Sequence, residues 1–227
     1  MYSLMLLNGG IGSRVAAGRP KQFIDVAGRP IIVYSLVAAD AVPEIDQIVL
    51  NYPEGFREEI ERLVTDYAVQ TPVSYVPAGA SRHESVAAML PVCHNDRVLI
   101  HESARPMVTA ADFKQLVTDP RENVSLMLPI PFTVAPVDPS ASLVTGSLER
   151  DRLRNVQLPQ KFLKDDLTDA HEQARAQNLV FTEDATLCAV TGHKVHFVDG
   201  QDTNIKVTTP TDVKLAGFLL GGDDDNV

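Results

Sequence analysis

From Ser3 to Ile130, short β-rich apolar runs alternate with stretches of helical pattern, and few folds accommodate that rhythm. SLMLL is followed by PIIVYSLVAAD, IDQIVLN by GFREEIERLVTDY, PVSYVP by RHESVAAML and DRVLIHE by TAADFKQLVTD, with NVSLMLPI closing the series. The alternation predicts an α/β fold, a mostly parallel sheet with helices on both faces. In such sheets ligands sit at the carboxyl ends of the strands. The unusual residues fall there: the loop after Leu7, PAGASR after Tyr75 and HESARP after Ile100.

Between Pro131 and Gln160 the rhythm breaks into short Pro-, Ser- and Arg-containing pieces, which predict a hairpin or arm projecting from the sheet, either a lid or a dimer contact. Helical pattern resumes at Leu163 to Gln177 and at Pro210 to Leu220. There is no internal repeat and no low-complexity linker. A chain of 227 residues therefore predicts one domain over 1–220, with the arm at about 131–160 and an acidic, solvated tail over 221–227. Metal binding by Asp223 to Asp225 is the alternative for that tail.

A formal charge of −10 argues against a nucleic-acid surface, so any polyanion this chain binds should be small and locally held. Cys93 and Cys188 match no disulfide framework or metal-ligand spacing and are expected as reduced thiols. No apolar run approaches the roughly 20 residues that cross a bilayer, and no basic segment precedes an apolar leader. No membrane partner and a cytoplasmic location are expected.

The loop LNGGIGSRVAAGRPKQF, Leu7 to Phe23, follows the first strand. Glycines there let backbone N–H groups approach phosphate oxygens without Cβ obstruction, and a nearby Arg and Lys can add charge-assisted hydrogen bonds. GGIG is neither the dinucleotide fingerprint nor the P-loop. A surface loop with two solvated cations is the other possibility at this stage.

GGxGSR followed by PKQF resembles the signature of nucleotidyltransferases that join a nucleoside triphosphate to a phosphorylated sugar or sugar alcohol. Four further blocks narrow it: AGASRHESV is similar to GGxxRxxSV, VLIHESARP to VLVHDAARP, FTEDATL to TDDASL, and NIKVTTPTDVKLA to NIKVTTPEDLxLA. Together they resemble the cytidylyltransferases that act on 2-C-methylerythritol 4-phosphate or ribitol 5-phosphate, over Leu6 to Ala216. The resemblance implies a Rossmann-like sheet of the nucleotide-diphospho-sugar transferase type with a projecting dimerisation arm. It also implies a CTP-dependent transfer, in which a polyol-phosphate oxygen attacks the α-phosphorus of CTP and pyrophosphate departs. Such chemistry needs charge compensation and positioning rather than a protein nucleophile.

In that family pattern Arg14, Lys21 and Lys206 are the expected catalytic cations. Asn8, Gly9, Gly10 and Gly12 would wrap the phosphates, while Gly79, Ala80 and Ser85 would recognise the cytosine. Ser85 reads equally as a helix-start hydroxyl. Glu102, one methylene longer than the family aspartate, would hold Mg²⁺ or another divalent cation and meet the substrate. Arg105, Thr133, Arg150 and Thr182 would contact the polyol phosphate, with Arg150 reaching into the other subunit of a homodimer. Ser103 replaces the usual alanine and Phe132 the aspartate before Thr133. Glu183 and Asp184 read equally as residues complementing a helix N-terminus. Three functions stay open: the methylerythritol enzyme, favoured by SARP; a ribitol-type enzyme, favoured by GGIGSR; and a non-catalytic nucleotide-binding homologue, to which the changes at Glu102 and Phe132 point.

Overall fold

The computed structural model describes residues 1–10 and 19–221. In chain order the strands and helices are β1 (Tyr2–Leu7), β2 (Asp25–Val26), β3 (Arg29–Pro30), α1 (Ile31–Asp40), β4 (Ile45–Tyr52), α2 (Arg57–Asp66), β5 (Val73–Pro77) and α3 (Arg82–Met89). There follow β6 (Arg97–Glu102), α4 (Ala110–Thr118), β7 (Val124–Pro129), β8 (Val137–Asp138), β9 (Leu143–Val144), β10 (Arg154–Leu163), α5 (Lys164–Ala176), α6 (Asp184–Val190), β11 (His196–Asp199) and α7 (Pro210–Leu219).

Every residue of β1 is buried, as a central strand with helices on both faces requires. Its side chains divide with period two. Tyr2, Leu4 and Leu6 join the core that holds Leu36 of α1, Ile60 of α2 and Phe113 of α4. Met5 and Leu7 join the opposite core with Val86 of α3, Leu167 of α5 and Leu187 of α6. The sheet order is β11-β7-β10-β6-β1-β4-β5. Pairing is parallel except for β10, which runs antiparallel between β6 and β7.

The expected segment 131–160 thus divides in two. Its first part carries the small exposed hairpin β8–β9, with Phe132, Leu143 and Val144 open to solvent. Its second part enters the sheet as β10, a buried strand whose Pro, Gln and Arg content hid it from the apolar pattern. The helix α6 and the strand β11 were also not marked by the sequence rhythm. Both cysteines are free and buried.

Register brings the strand ends together. Leu7 pairs with Glu102, and Tyr52 pairs with Pro77. Asn8, Ser103 and Ala78 therefore emerge together at the carboxyl end of the parallel strands. The close approach makes Gly9 obligatory, since a Cβ there would lie 2.6 Å from Ala78 Cβ and 2.7 Å from Asn51 Nδ2. At Gly10 a Cβ meets nothing within 4 Å. Gly9→Ala should therefore cost about 1–3 kcal/mol of unfolding free energy, as overpacking does, while Gly10→Ala should stay within about 0.5 kcal/mol. Urea denaturation of the two variants checks this, and equal effects would contradict the packing argument.

Candidate active site

A cleft of about 720 Å³ opens at the carboxyl ends of β1, β4, β5 and β6. Its walls hold Asn8, Gly9, Gly10, Lys21, Gly79, Ala80, Ser85, Glu102 and Lys206, nine of the residues expected from sequence. Arg105 stands behind Glu102, its Nε 3.9 Å from Glu102 Oε2. Thr133, Arg150 and Thr182 are exposed and do not line the cleft of their own chain. Gly12 and Arg14 lie outside the described residues, as do Asp223 to Asp225.

The start of the glycine loop is held by two amides. Asn51, at the end of β4, accepts the Asn8 N–H on its Oδ1 at 2.5 Å. Gln22 donates Nε2 to the carbonyls of Asn8 at 2.6 Å and Gly10 at 3.0 Å. Both amides are buried, and neither was singled out in the sequence, although Gln22 belongs to the PKQF block. Lys21 sits in a short 3-10 turn and donates Nζ to the Val207 carbonyl at 2.6 Å. That bond places it beside Lys206.

Ser103 also finds a role. Its hydroxyl lies 2.6 Å from Asn8 Oδ1, which fixes the face that the Asn8 amide presents.

Opposite the loop, the start of α3 packs closely on the segment before it. A Cβ on Gly79 would lie 2.7 Å from Glu84 Cβ and 2.9 Å from Ser85 N. The N-cap is Ser81, whose Oγ accepts from Glu84 N at 3.1 Å. Ser85 is therefore not the capping hydroxyl; its Oγ accepts the Gly79 N–H at 3.0 Å and shapes the wall.

Glu102 is 8% exposed and meets cations on both oxygens. Lys206 Nζ lies 2.7 Å from Oε2, and Arg82 Nε lies 3.4 Å from Oε1. Burial alone would raise its carboxyl pKa; the charges of Lys206, Arg82 and Arg105 outweigh burial and hold it below the usual carboxylate range. Arg82 also lines the cleft and reaches Asp184, NH1 to Oδ2 at 2.6 Å. Sequence reasoning gave Arg82 no role although it is the arginine of the AGASRHESV block. Glu183 caps α6 by accepting from Ala185 N and Thr186 N, while Asp184 turns inward to Arg82. The two carboxylates, read alike from sequence, have different tasks.

The cleft thus combines glycine-lined walls, cations and the ionised carboxylate of Glu102, a setting for a phosphate-bearing ligand. Among the described residues no three His, Cys, Asp or Glu side chains gather as a metal cage.

The family profile of 2-C-methyl-D-erythritol 4-phosphate cytidylyltransferase matches residues 3–222. A relative of that name from Bacillus pumilus is 34% identical over 224 residues, spanning 98% of this chain and 98% of its own. The chloroplastic protein of that name from Oryza sativa subsp. japonica is 32% identical over 222 residues, spanning 96% of this chain and 74% of its own. Among solved structures, 4-diphosphocytidyl-2C-methyl-D-erythritol synthase from Anaerococcus prevotii superposes with a TM-score of 0.85 at 26% identity, over 97% of this chain and 96% of that one. The 2-C-methyl-D-erythritol 4-phosphate cytidylyltransferase of Thermus thermophilus gives 0.77 at 27% identity, over 96% and 98%. These names favour the methylerythritol alternative over the ribitol one. Profile, relatives and fold agree along nearly the whole chain, which belongs to the 2-C-methyl-D-erythritol 4-phosphate cytidylyltransferase family.

Proposed function

We propose that the cleft transfers the cytidylyl group of CTP to the phosphate of 2-C-methyl-D-erythritol 4-phosphate and releases pyrophosphate. The observation that carries this reading is that Lys21, bound to the Val207 carbonyl, and Lys206, paired with Glu102, both line one glycine-walled cleft. A phosphate oxygen of the acceptor attacks the α-phosphorus in line, the bond to the bridging oxygen breaks, and pyrophosphate leaves with its electron pair. The transition state gathers negative charge on the α-phosphoryl oxygens, and fixed cations stabilise it without solvent reorganisation.

Lys21 and Lys206 supply that charge, with Arg14 of the opening loop assigned the same task. The backbone of Asn8 to Gly12 cradles the β- and γ-phosphates, and Gly79, Ala80 and Ser85 face the cytosine. Arg105, which stands behind Glu102, and Thr182 are assigned to the acceptor phosphate. A single carboxylate suits Mg²⁺, which keeps several waters and binds mainly through substrate phosphates. Glu102 would hold the cation on the protein side in exchange for its contact with Arg82 or Lys206, and the cation would supply further neutralisation of phosphate charge.

Thr133 and Arg150 reach a cleft only if they enter that of a second copy. The exposed apolar side chains of the hairpin, Phe132, Val137, Leu143 and Val144, support a homodimer formed through this arm. Among the described residues no helix is long and apolar enough to cross a membrane, and the free buried cysteines accord with the cytoplasm as the place of action.

Pyrophosphate release with CTP and a panel of polyol phosphates tests the reading. We expect turnover with 2-C-methyl-D-erythritol 4-phosphate, loss of turnover on EDTA treatment and recovery with Mg²⁺. Faster turnover of ribitol 5-phosphate would replace the acceptor, faster use of ATP the donor, and no turnover with any pair would leave a nucleotide-binding homologue.

Lys206→Ala should lower kcat by about 10²–10³-fold, the cost of removing one stabilising donor from a developing oxyanion, as stopped-time product analysis would show. A loss confined to KM would place Lys206 in ground-state binding instead.

Arg150→Ala should raise KM for the polyol phosphate with CTP binding nearly unchanged by calorimetry. Mixing inactive Lys21→Ala subunits with Arg150→Ala subunits should restore activity, because one site in each heterodimer receives both an intact loop and an intact arm. No recovery despite confirmed subunit exchange would confine Arg150 to its own chain.

A further inference from the structure

Asp184, the first residue of α6, is 1% exposed, so its ionised side chain is kept only by its partners. Its Oδ1 lies 3.2 Å from His171 Nε2 of α5, itself buried, and its Oδ2 lies 2.6 Å from Arg82 NH1. Burial alone would raise the Asp184 carboxyl; the Arg82 charge and the His171 contact reverse that and hold it low. Arg82 begins α3, and its guanidinium spans two carboxylates, buried Asp184 behind and Glu102 at the cleft. Glu102 divides its two oxygens between Arg82 and Lys206, and the Lys206 contact is the shorter, 2.7 against 3.4 Å.

We propose that Asp184 is a positioning residue of the active site: by holding Arg82 back it leaves Glu102 to Lys206 and so sets where the Lys206 ammonium stands. The inference rests on the assignment of Lys206 to the reacting phosphate. Asp184 touches no substrate itself. It acts from α6, which packs on the same face of the sheet as α3, through a planar fork whose geometry admits two carboxylates at once. With its charge removed, Arg82 keeps Glu102 as its ion-pair contact, Glu183 acting on it only by longer-range attraction, and it competes with Lys206 for Glu102.

The test is a double-mutant cycle with Asp184→Asn and Arg82→Lys, assayed with CTP and 2-C-methyl-D-erythritol 4-phosphate and normalised to folded protein by circular dichroism. Asp184→Asn should lower kcat about tenfold or more with KM for CTP within about threefold, and the double variant should be no worse than the poorer single one. Unchanged kcat, or losses that multiply, would overturn the proposal. If Asp184→Asn does not fold, Arg82→Lys at the cleft wall must alone show the same split between kcat and KM; a loss in KM only counts against it. A ¹⁵N spectrum of the Arg82 Nε–H, identified by its absence in Arg82→Lys, separates this inference from the functional reading. That resonance should shift or vanish in Asp184→Asn even if wild-type protein lacks turnover, and an unmoved resonance refutes the proposal whatever the activity.

Discussion

The cleft depends on one buried carboxylate. Glu102 ends β6 and is met by cations from three other places in the chain: Arg82 from α3, Arg105 from the following turn and Lys206 from the segment before α7. Buried like charges repel strongly where water is scarce, so these side chains can gather only around an anion. The carboxylate sits at its depth because β6 is an inner strand, flanked by β1 and β10, and Glu102 itself pairs with Leu7 of β1. Electrostatics at the cleft and hydrogen bonding within the sheet are therefore one arrangement. The extra methylene relative to the aspartate of the resembling motif lengthens the reach of the carboxylate, and both of its oxygens lie against cations.

A second tie joins the two ends of the chain. Lys21 follows the opening loop and Lys206 lies 185 residues later, yet Lys21 Nζ binds the carbonyl of Val207, next to Lys206. Val207 is fully buried in a small separate core with Val26, Ile31, Met107 and Ala216, which packs α7 against the β2–β3 hairpin. The hairpin follows Lys21 directly, and α7 follows Lys206. Apolar burial outside the cleft thus fixes the spacing of the two amines inside it. A capping box at the start of α7, Thr209 with Asp212, holds that segment's exit.

Much of this was legible in the sequence, for identifiable reasons. The parallel half of the sheet announced itself because strands buried on both faces must be largely apolar, as β1 is apart from Ser3. In sequence the glycine at position 9 reads as baring its backbone to phosphate; what the structure shows there is a different close approach, to Ala78 and Asn51. What was hidden depends on contacts distant in sequence. The antiparallel β10 carries Arg154, Asn155, Gln157, Gln160 and Lys161; the side chains of the last three are buried and find partners only on distant segments, among them Gln201, Ser125 and Asp119, so no period-two apolar pattern marks the strand. Arg82 was visible within a matched block, but its task could not be read without Asp184, which lies 102 positions away. Glu183 and Asp184 are adjacent and chemically alike; only the turn into α6 sends one to the helix end and the other to the cation.

The polar content of β10 has a consequence for the arm. Gln157 donates Nε2 to the carbonyls of Gln201 at 2.9 Å and Asn204 at 3.2 Å, and Asn204 returns its Nδ2 to the Leu158 carbonyl at 2.7 Å. Arg105 NH1 donates to the same Asn204 carbonyl at 2.8 Å. The strand that ends the arm therefore carries, through Asn204, both the segment bearing Lys206 and the arginine assigned to the acceptor phosphate. These contacts are buried or nearly so, and a buried polar network holds one geometry because each lost partner leaves a desolvated group behind. An arm seated on a second copy would then have its base anchored to the machinery of its own cleft while its tip serves the other. Arg150 lies in the short turn just before β10, so only a few residues separate it from that anchored base.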